Sequence, residues 1–457
     1  MTPLEYLQQT QAKRMEELFE FLRFPSVSAK SEHKADLQRC AEWLRKHFQD
    51  LGLSSSLFPT SGNPIVYAEY LVGPQRPTIL YYGHYDVQPP EPLELWASPP
   101  FEPVVRDGCI YARGSSDDKG QTFTHLKGIE AILKAEGTLP VNVKFLIEGQ
   151  EEGGSPEDLS RFIQKEKKRL QADIVVVSDT SQFSKDLPAV TFGLRGIASV
   201  EIFAYGPNRD LHSGTFGGAI GNPVNLLCEM IGRLHDKNGR ILVPGFYQDC
   251  RLPGKWEREQ FRRLPYREAN YRKELGVKAL YGEKSYSTFE RTWVRPTLDV
   301  NGIQGGYQGE GGKTIIPSRA SAKITMRLVP DMKPADIAGK LEKYLKKIAP
   351  PCIRLEMVYH GGAEAVVVPT DGPWLEAARC AIRKGFGKAP VFMKEGGSIP
   401  VANNFKSSLG LDTLFLGFGL NSDNIHSPNE HFRVVDFERG CRTAVALPYE
   451  IARVKAG

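Results

Sequence analysis

Apolar positions in the first part of the chain switch between helical and strand-like spacing. Between residues 31 and 51, Leu37, Cys40, Ala41, Leu44 and Phe48 recur one turn apart, and Gly52 follows as a stop. Short apolar, β-rich runs at 65–71, 78–82, 141–147 and 174–177 predict strands, with helical stretches near 122–135 and 156–170 between several of them. Strands alternating with helices in this way favour an α/β sheet covered on both faces.

The pattern changes after about residue 188. An alternating strand at 199–205 precedes a helix at 223–235, strands at 297–303 and 320–329, a helix at 334–348 and a strand at 353–359. This βαββαβ order is the split βαβ of a ferredoxin-like unit. Its first helix and second strand are separated by residues 236–296, rich in Arg, Lys, Glu and aromatics. That segment reads as a helical elaboration of the smaller domain, with a solvated insert as the plainer alternative. From about residue 366 the first style returns: a helix from Asp371 as N-cap to Lys384 with Gly385 beyond it, a strand at 413–417, and a final helix from Val435. The expected fold is therefore an α/β domain with a mixed sheet between helices, interrupted by an inserted α+β domain. The expected boundaries are 1–187 and 364–457 for the larger domain and 188–363 for the insert.

Composition narrows the function classes. The chain of 457 residues is long enough for two cores, and no apolar run is long enough to cross a bilayer. Its start reads as a capped helix, with Thr2 at N-cap, Pro3 at N1 and Glu5 at N3, and not as a secretory signal. Seven cysteines without a CxxC pair argue for reduced thiols in a cytoplasm. A formal charge of +5 is small for this length and gives no case for nucleic acid or a membrane partner.

Five polar motifs sit at or just beyond predicted strand ends, where open α/β sheets bind ligands. The first is Tyr82-Gly83-His84-Tyr85-Asp86-Val87-Gln88-Pro89. Residues two apart in an extended segment point the same way, so Asp86 can support the His84 ring and fix its tautomer. The second, Ala112-Arg113-Gly114-Ser115-Ser116-Asp117-Asp118-Lys119-Gly120, opens a helix, where paired acids also serve as caps. In the third, Glu148-Gly149-Gln150-Glu151-Glu152-Gly153-Gly154-Ser155, adjacent carboxylates suit one metal ligand and one proton carrier. Asp179 follows the apolar run ending in Val177-Ser178, and Asn424-Ile425-His426-Ser427-Pro428-Asn429-Glu430 follows the run ending at Gly417. Two histidines and several acids at strand ends match the His and carboxylate ligands that two zinc ions require. Cysteine plays no part in any of the five motifs.

In this order the motifs closely resemble the dinuclear zinc peptidases that include carnosinases and cytosolic nonspecific dipeptidases. More distant members are acetylornithine deacetylase, succinyl-diaminopimelate desuccinylase, aminoacylase and glutamate carboxypeptidase. The resemblance covers nearly the whole chain and implies a zinc-peptidase-like catalytic domain whose insert is a lid and dimerisation domain. It implies His84 and Asp179 on one metal, Glu152 and His426 on the other, Asp117 bridging through a cis bond to Asp118, Asp86 as orienter, and Glu151 as general base. Asp210-Leu211-His212-Ser213-Gly214 resembles the segment whose histidine crosses a dimer interface to the oxyanion. Lys313-Thr314-Ile315-Ile316-Pro317 with Thr314, Arg327 before Leu328-Val329-Pro330, and Gly396-Gly397-Ser398-Ile399-Pro400 with Ser398 resemble substrate-binding segments, and His426 also reaches the substrate.

The implied function is a homodimeric, cytoplasmic dipeptidase. It would hydrolyse dipeptides with a free N-terminus through a water bridging two divalent metals, Zn2+ with Mn2+ or Co2+ as alternatives. An Asp at position 179 goes with aminopeptidases and dipeptidases of this family. The alternatives are an N-acyl amino acid deacylase or carboxypeptidase of the same family, and a non-catalytic homologue acting as a binding or scaffold protein.

Overall fold

The computed structural model describes residues 1–153 and 157–454. The chain divides into two compact units. Unit one comprises residues 1–192, 368–393 and 404–457; unit two comprises 193–367 and 394–403. The ten residues 394–403, assigned to the larger domain from the sequence, thus belong to the smaller unit.

Unit one is built on a mixed sheet. Its strands lie in the order Ser54–Phe58, Ile65–Tyr70, Asn142–Glu148, Thr78–His84, Ile174–Val177, Thr413–Phe415 and Ala189–Leu194. The four strands from Asn142–Glu148 to Thr413–Phe415 run parallel, and the flanking strands are antiparallel to them. Every residue of Asn142–Glu148 and Ile174–Val177 is buried. That accounts for their continuous apolar runs, since a strand covered on both faces has no solvent side to alternate towards.

Helix Lys119–Glu136 packs against this sheet and is buried from Lys119 to Ile132. Gly83 makes the approach possible, because a Cβ there would lie 1.9 Å from Thr122 Oγ1. The first long helix spans Lys34–Asp50 after a short turn, and Gly52 takes a left-handed φ of 89°. Helix Glu157–Lys165 is shorter than its apolar pattern predicts. The expected start at Pro156 lies outside the described residues, as do Gly154 and Ser155. Helix Pro373–Phe386 is capped by Gly372, not Asp371, and is closed by Gly387 at a φ of 71°, not Gly385.

Unit two has an antiparallel sheet in the order Thr297–Gly305, Arg319–Leu328, Gly196–Tyr205 and Arg354–Ala363. With helices Pro223–Gly232 and Pro334–Ile348, this is the split βαβ arrangement. Alternate residues of Gly196–Tyr205 are buried, giving one covered face whose core includes Val200, Ile202, Leu227, Ile324 and Leu341. Residues 236–296 form helices Lys255–Arg263 and Glu268–Glu274 and a wide turn at Glu290–Val294. They have an aromatic centre, with Phe289 and Trp293 stacked at 4.3 Å. Among the described residues no helix is long and apolar enough to cross a membrane.

Candidate metal centre and catalytic site

Four parallel strands deliver the site in unit one. Strand Thr78–His84 ends on His84, and Asp179 lies two residues past Ile174–Val177. Asn142–Glu148 leads to Glu151 and Glu152, and Thr413–Phe415 to the loop bearing His426. Asp117 comes from the turn before helix Lys119–Glu136, and its peptide bond to Asp118 is cis. Donor atoms of His84, Asp117 and Asp179 lie within 4.8 Å of one another, as do those of Asp117, Glu152 and His426. Asp117 belongs to both triads. Its Oδ1 is 3.2 Å from His84 Nε2 and its Oδ2 is 2.9 Å from His426 Nε2. One carboxylate therefore presents an oxygen to each group.

This donor set fits two divalent cations, each triad offering one imidazole and two carboxylates. His84 Nε2 and Glu152 Oε1 are buried and make no hydrogen bond. Leaving such an atom unsatisfied costs about 1–3 kcal/mol. Both point into the triads, Glu152 Oε1 standing 3.1 Å from His426 Nε2. The backbone of His426 is held at a φ of 61°, a left-handed conformation that bulky residues rarely adopt.

The electrostatics also call for cations. Burial pushes Asp179 well above the usual carboxylate range, reinforced by the Asp117 and Asp118 carboxylates. Burial likewise raises Asp117, but the adjacent His426 and His84 imidazoles more than offset it and hold the group low. Glu151 stands outside both triads. Burial, opposed by His84 and reinforced by the Glu152 and Asp117 carboxylates, pushes it up to about 8. A carboxyl poised near neutrality is suited to accept and return a proton.

Several residues hold these groups in place. The sequence points to the Asp86 carboxylate as the support of the His84 ring. Instead, His84 Nδ1 hydrogen-bonds the Asp86 backbone carbonyl at 3.0 Å, while the carboxylate Oδ1 stands 3.5 Å away. The Asp86 carboxylate is used elsewhere: it accepts the N–H of Glu151 at 3.3 Å, that of Glu152 at 2.9 Å, and the Ser28 hydroxyl at 2.5 Å. Gln88 Nε2 donates to Glu152 Oε2 at 2.6 Å.

Glu430 is buried and accepts from four donors. Arg113 Nη1 and the Gly114 N–H reach Oε2 at 2.8 and 2.9 Å, and the Ser116 and Asp117 N–H groups reach Oε1 at 2.9 and 3.0 Å. Sequence reasoning gave no role to Ser28, Gln88 or Glu430. The last two lie inside motifs singled out for His84 and His426, which was the available signal.

A third triad, Glu17, His47 and Glu130, also has ligand-like spacing. It is filled by the chain itself. The Lys127 ammonium bonds both carboxylates and lies 3.1 Å from His47 Nε2.

Residues 80–450 match the model of peptidase family M20/M25/M40. The chain belongs to this family. It is 31% identical over 459 residues to a Cys-Gly metallodipeptidase of Candida albicans, covering 96% of this chain and 94% of the relative. The crystal structure of human carnosine dipeptidase 1 superposes with a TM-score of 0.88 at 28% identity, covering 99% and 98% of the two chains. An M20 family metallo-carboxypeptidase from Sulfolobus solfataricus superposes at 0.87 with 33% identity, covering 96% and 99%.

Unit two of this M20 peptidase carries the remaining sequence-predicted residues. His212 is exposed, and its Nδ1 accepts the N–H groups of Gly214 at 2.9 Å and Thr215 at 3.2 Å. An imidazole nitrogen that accepts has no proton, so the neutral ring carries its proton on Nε2, the outward donor. Thr314 is exposed beside it, its carbonyl accepting the Ser213 N–H at 3.0 Å. Arg327 and Ser398 come together independently: Arg327 Nη1 donates to Ser398 Oγ at 3.1 Å, and Ser398 Oγ donates to the Arg195 carbonyl at 2.5 Å.

Proposed function

We propose that this M20 peptidase is a dipeptidase with two divalent cations, most simply zinc, that hydrolyses dipeptides carrying a free N-terminus. The observation that carries the reading is the pair of triads sharing Asp117, with Glu151 beside them and outside both. His84 and Asp179 would hold one cation, Glu152 and His426 the other, and Asp117 both. When bound, such cations acidify water and polarise a carbonyl. Glu151 takes the proton of the attacking water and returns it to the leaving amine nitrogen. His212 Nε2–H donates to the carbonyl oxygen as negative charge develops there, acting from a second subunit of a homodimer. Arg327 pairs with the substrate's C-terminal carboxylate, with Ser398 beside it and Thr314 as a further contact. The names of the Candida albicans and human relatives support a dipeptide substrate. Unit two would act as the lid and dimerisation domain. All seven cysteines are free thiols, which supports a reducing, cytoplasmic setting.

The Sulfolobus relative, a metallo-carboxypeptidase by name, favours a second reading in which longer peptides or N-acyl amino acids are cut. Metal-stripped protein, reloaded with zinc or manganese, should be assayed on free dipeptides, longer peptides and N-acyl amino acids. Metal-dependent cleavage confined to free dipeptides supports the first reading. Cleavage of N-acyl amino acids in their place overturns it in favour of the second.

A further inference from the structure

Unit two contains a cavity of about 460 Å3, inside the range of roughly 300–1,000 Å3 typical of ligand sites. Arg327 lines it, together with Arg195, Asp299 and the insert residues Tyr281, Glu283 and Arg291. Its charge is unbalanced. Arg295, also in the lining, is paired with Glu283 through Nε at 2.7 Å and Nη2 at 2.8 Å, so those two charges cancel. The other three guanidinium groups meet only neutral acceptors. Arg195 Nε donates to the Gly396 carbonyl at 3.1 Å, Arg291 Nε to the Glu283 carbonyl at 2.9 Å, and Arg327 Nη1 to Ser398 Oγ. None of the three makes an ion pair with a carboxylate among the described residues. Asp299 is the cavity's one remaining carboxylate, and its Oδ2 accepts the Thr297 hydroxyl at 2.8 Å.

Arg195 is 91% buried, so its charge is largely out of water. Burial and the neighbouring Arg327 charge hold it below the usual arginine range, at about 10. Asp299 offsets part of the charge of Arg195 and Arg327, and a buried guanidinium without a full partner is costly unless an anion is supplied. The dipeptidase reading supplies one anion, the substrate's C-terminal carboxylate on Arg327 and Ser398, and leaves a second positive charge unmatched.

We propose that this cavity receives an acidic side chain on the substrate's C-terminal residue, and that Arg291 and Arg195 select it. The inference rests on the dipeptidase reading and deepens it to dipeptides ending in glutamate or aspartate. It also gives the segment 236–296 a function, since the insert builds the wall that carries Arg291.

The test compares kcat/KM for Gly-Glu against Gly-Gln, and Gly-Asp against Gly-Asn, in the zinc-loaded enzyme. The acids should be favoured by at least about tenfold, chiefly through KM, because the amides match them in shape and lack only the charge. Arg291→Met should bring kcat/KM for Gly-Glu down to within about twofold of that for Gly-Gln in the same variant, and Arg291→Lys should keep part of the preference. Equal rates for acid and amide, or a preference for the amide, would overturn the proposal while leaving the dipeptidase reading intact. Calorimetry with free glutamate and glutamine reads the pocket without turnover. Tighter glutamate binding supports the proposal even if no dipeptide is cleaved, and equal binding sinks it.

Discussion

The carboxylate of Glu430 accepts the backbone N–H of Asp117 at 3.0 Å, across 313 positions of sequence. The same carboxylate holds Arg113, Gly114 and Ser116, so it fixes the turn that aims Asp117 at both triads. In Glu430→Gln an amide NH2 must face backbone N–H groups, and part of the clamp becomes repulsive. Groups that orient a metal ligand typically contribute about 10–100-fold to metal affinity. Zinc affinity, read by competition against a chelator, should fall by that factor while the far-ultraviolet circular dichroism is unchanged. Wild-type affinity in the variant would show that the clamp does not matter.

Glu151 belongs to neither triad, so its removal separates proton transfer from cation binding. Glu151→Gln should keep both metals and lose about 10²–10⁴-fold in kcat. Metal content by atomic absorption and single-turnover rates check both halves. A variant that remains near wild-type in rate would remove Glu151 from the role of base.

The parallel strands were legible because each is a buried apolar run, and the His and carboxylate groups that the structure gathers lie at or beyond their ends. The βαββαβ order of unit two was legible for a similar reason, since Gly196–Tyr205 and Arg319–Leu328 alternate buried and exposed positions. What escaped is what depends on backbone donors. The four partners of Glu430 include three N–H groups, which carry no residue-type signature. The sequence pointed to the Asp86 carboxylate as a support for His84, but that carboxylate accepts the N–H groups of Glu151 and Glu152, and the Asp86 carbonyl meets the His84 ring. The return of residues 394–403 to unit two was also hidden. It depends on contacts such as that of Ser398 with the Arg195 carbonyl, 203 positions away.

His212 donates from Nε2 because two backbone N–H groups occupy Nδ1. His212→Ala should lower kcat about 10²–10³-fold, the usual loss for one oxyanion donor. Metal content should stay as in wild type, and the melting temperature should fall only slightly, by the loss of the cap on Gly214 and Thr215. A change confined to KM would assign His212 to substrate binding alone.

His125 gives the fold an acid limit. It is buried, with Nε2 2.6 Å from Ser178 Oγ and its ring beside Tyr81 and Phe418. Burial disfavours its charged form and pulls its pKa down to about 3, from an ordinary 6.5. Above pH 6.5 both folded and unfolded chains hold the ring neutral, and its contribution is complete. Between pH 6.5 and about 3 only the unfolded chain takes up the proton, so stability falls as the pH is lowered. The slope approaches about 1.4 kcal/mol per pH unit for this one group. Urea unfolding of metal-free protein at pH 8 and pH 5, wild type against His125→Gln, isolates it from metal release. The variant should lose less stability between the two pH values than wild type by about 2 kcal/mol. Parallel losses in the two proteins would show that His125 does not set the acid limb.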